Sequence, residues 1–145
     1  MPETCPEIAP FDTIFIDVSE GHRLHVTIAG NPAGQAAILL HGGPGSGLSA
    51  TARRYFDPEL YRIVQFDQRG CGQSTPNAAV SLEHNTTHHL IDDMEAIRLA
   101  LGVDEWLVFG TSWGSTLGLA YAQRHPRHVR AMVLANTAAK IGTPA

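Results

Sequence analysis

The sequence predicts an α/β fold in which a mostly parallel sheet is entered through an N-terminal antiparallel hairpin. Three observations carry this. Two segments of alternating apolar and polar residues come first, joined by a Gly-containing turn. Short continuous apolar runs then alternate with helical patterns, the order that builds a parallel sheet covered on both faces. Glycine-rich turns follow these runs, as expected where strands hand over to loops and helices.

The elements follow in order. Phe11 to Val18 and Arg23 to Ile28 alternate as half-buried strands do, and Glu20-Gly21 between them reads as a hairpin turn. Ala36 to Leu40 is an apolar run ending in glycines, which fits a strand buried on both faces. Tyr61 to Phe66 is the next strand, followed by a Gly-rich loop from Gln68 to Asn77. From about Thr86 to Leu101 the apolar residues Leu90, Met94, Ile97 and Leu101 line one helical face. Asn85 or Thr86 can cap the start of that helix, and Gly102 stands where a helix commonly ends. Trp106 to Phe109 is a buried strand, Gly110 to Gly114 a turn, and about Ser115 to Arg124 a helix stopped by Pro126. Val129 to Leu134 closes the pattern as a sixth strand.

Composition narrows the function. The chain has 145 residues, 43% hydrophobic and 17% charged, enough for one globular domain. A net charge of -4 leaves no basic footprint for nucleic acid or an anionic membrane. No apolar run approaches membrane-spanning length, and the N-terminus lacks the basic and apolar regions of a secretory signal. Cys5 and Cys71 form no Cys-x-x-Cys pair, which suits two thiols in a reducing cytoplasm. A cytoplasmic protein is expected.

Chemistry concentrates at Gly110-Thr111-Ser112-Trp113-Gly114, a Gly-x-Ser-x-Gly turn between a strand and a helix. A serine on so sharp a turn projects its hydroxyl above the sheet, and its neighbours at minus two and plus two must be small. The backbone N–H of Trp113 opens the helix and can serve as one oxyanion donor. By chance the pentapeptide occurs in about 5% of chains this long, so its context decides. Part of that context is His41-Gly42-Gly43-Pro44-Gly45 directly after a buried strand, where backbone N–H groups can approach a substrate carbonyl. The N–H of Gly43 is the second expected oxyanion donor. No Lys-Ser or Lys-Thr follows these glycines, which argues against a phosphate loop. Asp67-Gln68-Arg69-Gly70-Cys71-Gly72-Gln73-Ser74 reads as a structural loop in which Asp67 and Arg69 brace a Gly-rich turn beside the site. Cys71 has no visible activating partner.

Taken in this order, these segments resemble the proline iminopeptidases (prolyl aminopeptidases) of the α/β-hydrolase superfamily. Asn85-Thr86-Thr87, Trp106-x-Val108-Phe109 and Leu119-Ala120-Tyr121-Ala122-Gln123-x-His125-Pro126 fit the same family, so the likeness runs over roughly residues 11 to 135. The resemblance implies an α/β-hydrolase fold and a serine exopeptidase that removes N-terminal proline from small peptides. It implies no metal or organic cofactor, and acyl transfer through Ser112.

Two departures set further expectations. The triad order in this fold is Ser, then Asp or Glu, then His. After Ser112 the sequence has no Asp or Glu, and its only later histidines are His125 and His128, at the far end of the next helix. Residues 1–145 are therefore expected to be the N-terminal portion of one hydrolase core domain, truncated after about the sixth strand, without cap region or C-terminal strands. Alone, this piece should be inactive, and its uncovered sheet edge could self-associate. The second departure is the tail Leu134 to Thr143, which resembles 3-oxoadipate enol-lactonases and makes an enol-lactone or ester hydrolase the alternative.

Other candidates read as structural. His88, His89, Asp92 and Asp93 have metal-compatible spacing, but a solvated helix face off the apolar stripe is expected. His41 is expected to be a hydrogen-bonded structural histidine. His22 and His25 carry no constellation. Trp113 could also face substrate.

Overall fold

The computed structural model describes residues 8–42, 47, 49, 51–75 and 87–135. Its strands are β1 (Asp12–Asp17), β2 (Arg23–Gly30), β3 (Gln35–Leu40), β4 (Tyr61–Phe66), β5 (Trp106–Thr111) and β6 (Val129–Ala135), and its helices α1 (Thr87–Ala100) and α2 (Trp113–Arg124). The six strands form one sheet in the order β1-β2-β4-β3-β5-β6. The hairpin β1–β2 is antiparallel and joins β4 antiparallel, and β4, β3, β5 and β6 run parallel. The hairpin turn is tight because Glu20 and Gly21 both take positive φ, 62° and 76°.

Period-2 alternation divides the core between the sheet's two faces. Ile38, Leu40, Val64, Phe66 and Val108 point to one side, where Leu90, Ile91, Met94 and Ile97 of α1 and Leu117 and Tyr121 of α2 cover them. Ala37, Leu39, Ile63 and Phe109 point to the other and meet Phe56 from the short 3-10 turn Thr51–Tyr55 and the segment after it. This second face is thinly covered: Tyr55 and Val133 are exposed, and a hollow of about 450 Å³ opens between Tyr55, Leu107, Phe109 and Val133. The first face thus holds the main core, and the second is open beside the C-terminal ends of the strands.

The predicted strands are found within one or two residues of their expected ends. α1 stops as expected, with Gly102 at φ 66° and the Val103 N–H returning to the Arg98 carbonyl at 3.0 Å. Its proposed caps Asn85 and Thr86, together with Cys5, lie outside the described residues. α2 begins two residues earlier than the sequence suggested, directly at Trp113. No helix of the described residues is long and apolar enough to cross a membrane.

One expectation is corrected. Asp93 does not sit on a solvated face: it is 1% exposed and its carboxylate accepts two hydrogen bonds from Arg69, at 2.6 and 2.8 Å. The helix period itself gives the reason. Asp93 is three residues from Leu90 and four from Ile97, so it shares their buried stripe. Its neighbours behave as expected: His88 and Asp92 are exposed, and His88 accepts a hydrogen bond from Arg124 at 2.8 Å.

Candidate active site

The sheet order reverses at β3. The chain passes from β3 to β4 on one side and then returns to lay β5 on the other. Such a switch point leaves a crevice beyond the C-terminal ends of the two diverging strands. Two segments meet there, Leu40-His41-Gly42 leaving β3 and Thr111-Ser112-Trp113 leaving β5.

Ser112 is the single residue between β5 and α2, with φ 53° and ψ −121°. For a residue with a Cβ this is a strained backbone. The bend is secured from both sides: the Ser112 N–H donates to the Ala135 carbonyl of β6 at 3.1 Å, and its carbonyl accepts from the Ser115 N–H at 2.9 Å and hydroxyl at 2.6 Å. The flanking glycines are required by contact. A Cβ on Gly110 would collide with the Gly114 carbonyl oxygen, and one on Gly114 with that of Leu40. No larger side chain fits either position without moving backbone.

Gly42 closes over the bend. A Cβ there would sit 3.4 Å from the Ser112 Cβ and 3.9 Å from its Oγ, so the half-buried Ser112 side chain faces the start of the loop after β3. Trp113 is the first residue of α2, where an N–H has no partner inside the helix. Gly43, the other expected donor, lies outside the described residues. A hollow of about 280 Å³ adjoins the bend, lined by Gly42, Thr111, Ser49, Tyr55 and Phe109 among others.

His41 is a brace, as the sequence suggested. Its Nδ1 donates to the Gly42 carbonyl at 2.7 Å, and its Nε2 accepts from the Gln68 N–H at 3.1 Å. That pair of roles requires a neutral ring. Burial lowers the pKa of His41 below its ordinary value, against the opposing pulls of the Gly42 carbonyl and Asp67. Gln68 also donates from its side chain to the His41 carbonyl at 3.2 Å and accepts from the Trp113 indole N–H at 3.0 Å.

The loop after β4 is rigid for visible reasons. Asp67 Oδ2 accepts from His25 at 2.8 Å and from the Gln73 N–H at 3.0 Å, while Ser74 donates to the Asp67 carbonyl at 2.5 Å. Arg69, buried against Asp93, also reaches Ser19 at 2.6 Å. Asp67 and Arg69 therefore brace the turn as predicted. Sequence reading missed two partners, His25 and Asp93. For Asp93 the helix period was a usable signal; for His25 there was none, because the contact spans 42 residues. Cys71 is buried, with its thiol 3.7 Å from the Arg69 carbonyl.

Among the described residues no imidazole or carboxylate is hydrogen-bonded to the Ser112 hydroxyl. His125 and His128 lie beyond the C-terminal end of α2 and gather instead around Glu95 of α1. Burial pushes the Glu95 carboxyl up, but hydrogen bonds from Arg98 and Tyr121 and the nearby positive charge outweigh it and hold the pKa at about 2. Ligand atoms of Glu95, His125 and His128 lie within 4.8 Å of one another. The two rings are stacked at 10°, and both turn Nδ1 toward the Glu95 carboxylate.

Comparison with known proteins agrees with this geometry. Residues 37–145 match the family model described as alpha/beta hydrolase fold. A proline iminopeptidase of Xylella fastidiosa (strain 9a5c) is 53% identical over 129 residues, covering 89% of this chain and 41% of that protein. One from Arabidopsis thaliana is 53% identical over 127 residues, covering 88% and 33%. Among solved structures, a proline iminopeptidase-related protein from Thermus thermophilus superposes with a TM-score of 0.73 at 28% identity, over 85% of this chain and 43% of that one. An epoxide hydrolase from Vigna radiata gives 0.70 at 27% identity, over 85% and 37%. The chain thus spans about two-fifths or less of the curated relatives it matches.

Proposed function

The chain belongs to the alpha/beta hydrolase fold family, and from that premise we propose that it is the nucleophile-bearing part of a serine peptidase releasing N-terminal proline from peptides. The observation that carries the proposal is the strained bend at Ser112, φ 53°, with Gly42 packed against its side chain and Trp113 opening the helix. The relatives at about half identity that bear the name proline iminopeptidase supply the substrate.

In this reading the Ser112 Oγ attacks the carbonyl of the N-terminal proline. A base takes the hydroxyl proton, and the developing oxyanion is held by the N–H groups of Trp113 and Gly43. The leaving amine takes the proton back, and water then releases proline from the acyl-enzyme. The base and its orienting carboxylate follow the nucleophile in this fold. This sequence has no Asp or Glu after Ser112 and covers only 41% and 33% of the two relatives, so we infer that both groups belong to the longer protein. His41 is excluded as the base because both ring nitrogens are already engaged. The enol-lactone reading rests on the tail; residues 136–145 lie outside the described residues, and the relatives favour the peptidase.

The full-length gene product is expected to hydrolyse a proline 4-nitroanilide. Ser112→Ala should lower its kcat by about six orders of magnitude, as loss of a triad member does. Unchanged turnover in that variant, or lactone turnover exceeding amide turnover in the parent, would overturn the proposal.

A further inference from the structure

An oxyanion hole made of two backbone N–H groups works only if both aim at one point, and tolerances for such sites are about 0.5 Å. Here the two segments concerned leave different strands, β3 and β5, and neither is anchored to the other by sheet hydrogen bonds once the strands end. A third segment joins them. Gln68, immediately past the loop-bracing Asp67, is 2% exposed and contacts both. Its backbone N–H fills His41 Nε2, its side-chain amide donates to the His41 carbonyl, and its amide oxygen accepts the Trp113 indole N–H. His41 in turn holds the Gly42 carbonyl at 2.7 Å.

We propose that Gln68 is a positioning residue of the hydrolytic site, a clasp that fixes the loop after β3 relative to the first residue of α2 and so aligns the two oxyanion segments. This rests on the serine-hydrolase reading of Ser112. The residue type follows from the task. A side-chain amide both donates and accepts, whereas a carboxylate could serve only Trp113 and an ammonium only His41. No hydrogen bond joins Gln68 to Ser112 among the described residues; it acts through His41 and Trp113.

The test uses the full-length gene product with two substrates, a proline 4-nitroanilide and a 4-nitrophenyl ester. Gln68→Leu keeps the volume and removes the side-chain bonds. It should lower kcat between about 10- and 100-fold on both substrates with KM within about threefold, because donors that move apart lose the transition state more than the ground state. Trp113→Phe removes the indole N–H together with one ring of the side chain and should lower kcat about threefold or more. The double variant should be no slower than Gln68→Leu alone, since the bond it deletes is already gone. A purely structural Gln68 predicts otherwise: a lower melting temperature with kcat and KM of the folded protein unchanged. A folded Gln68→Leu with kcat within about twofold of the parent, or additive effects in the double variant, overturns the proposal. Should Gln68→Leu fail to fold, an unchanged kcat in Trp113→Phe overturns it equally. A parent that cleaves the ester but not the proline amide removes the substrate assignment, while the Gln68 comparison is still read on the ester.

Discussion

Ser112 holds a conformation that favours glycine, φ 53°, although it carries a side chain. Strain of this kind costs on the order of 1–3 kcal/mol and is kept only where surrounding structure enforces it. Ser112→Gly should therefore be more stable than Ser112→Ala by about 1 kcal/mol, with turnover lost in both. Paired urea unfolding curves check this, and equal midpoints would mean that the bend stores no strain. His41 sets a second expectation at this scale. Burial holds its folded pKa below 6.5, so near and below that pH the unfolded chain binds the proton first. Its contribution to stability is then complete above about pH 6.5 and is lost as pH falls toward the folded value. His41→Asn should flatten the stability slope in that window, measured as urea midpoints against pH; an unchanged slope would assign it to other groups.

At the scale of elements, α1 is fastened to the loop after β4 by a fully buried ion pair, Arg69 with Asp93. The helix leans on the sheet through Leu90, Met94 and Ile97, but the pair fixes its position relative to the site loop. Removing one partner strands a buried charge, which costs about 3–5 kcal/mol. Asp93→Asn is expected to destabilise by that amount, whereas replacing both partners by apolar residues of similar size should cost less. Thermal or urea unfolding of the single and double variants separates the two, and a loss under about 1 kcal/mol for Asp93→Asn would show that the pair is dispensable. The same loop carries Gln68 beside Arg69, so one short segment ties the main core helix to the candidate oxyanion segments.

For the molecule as a whole, the sheet ends on a strand whose outer edge has no partner among the described residues. Ala131 to Ala135 carries no charge, and Met132 and Val133 are 36% and 45% exposed. Uncovered apolar edges of this kind template pairing with further chains. The isolated 145-residue chain is expected to associate with concentration in sedimentation experiments, and Val133→Lys to shift it toward monomer. A clean monomer for the parent chain would contradict this. The same chain is also expected to show no Ser112-dependent peptidase activity, because triad members act as a unit and neither base nor orienting carboxylate is seen beside Ser112 among the described residues.

Most of the architecture was legible in the residues, because strand and helix periods are local: Tyr61–Phe66 and Trp106–Thr111 declare themselves by apolar runs, and Gly110 and Gly114 by the space a serine bend needs. What no local pattern holds is which distant side chains meet. The pairing of His25 with Asp67 comes from β2 lying beside β4, that of Arg69 with Asp93 from the packing of α1, and that of Gln68 with both His41 and Trp113 from the strand order that places β3 between β4 and β5. Sequence alone thus determined the bend at Ser112 and the elements that carry it. Tertiary structure decided the polar bracing around it, since buried polar groups take partners from whatever the fold brings within hydrogen-bond reach.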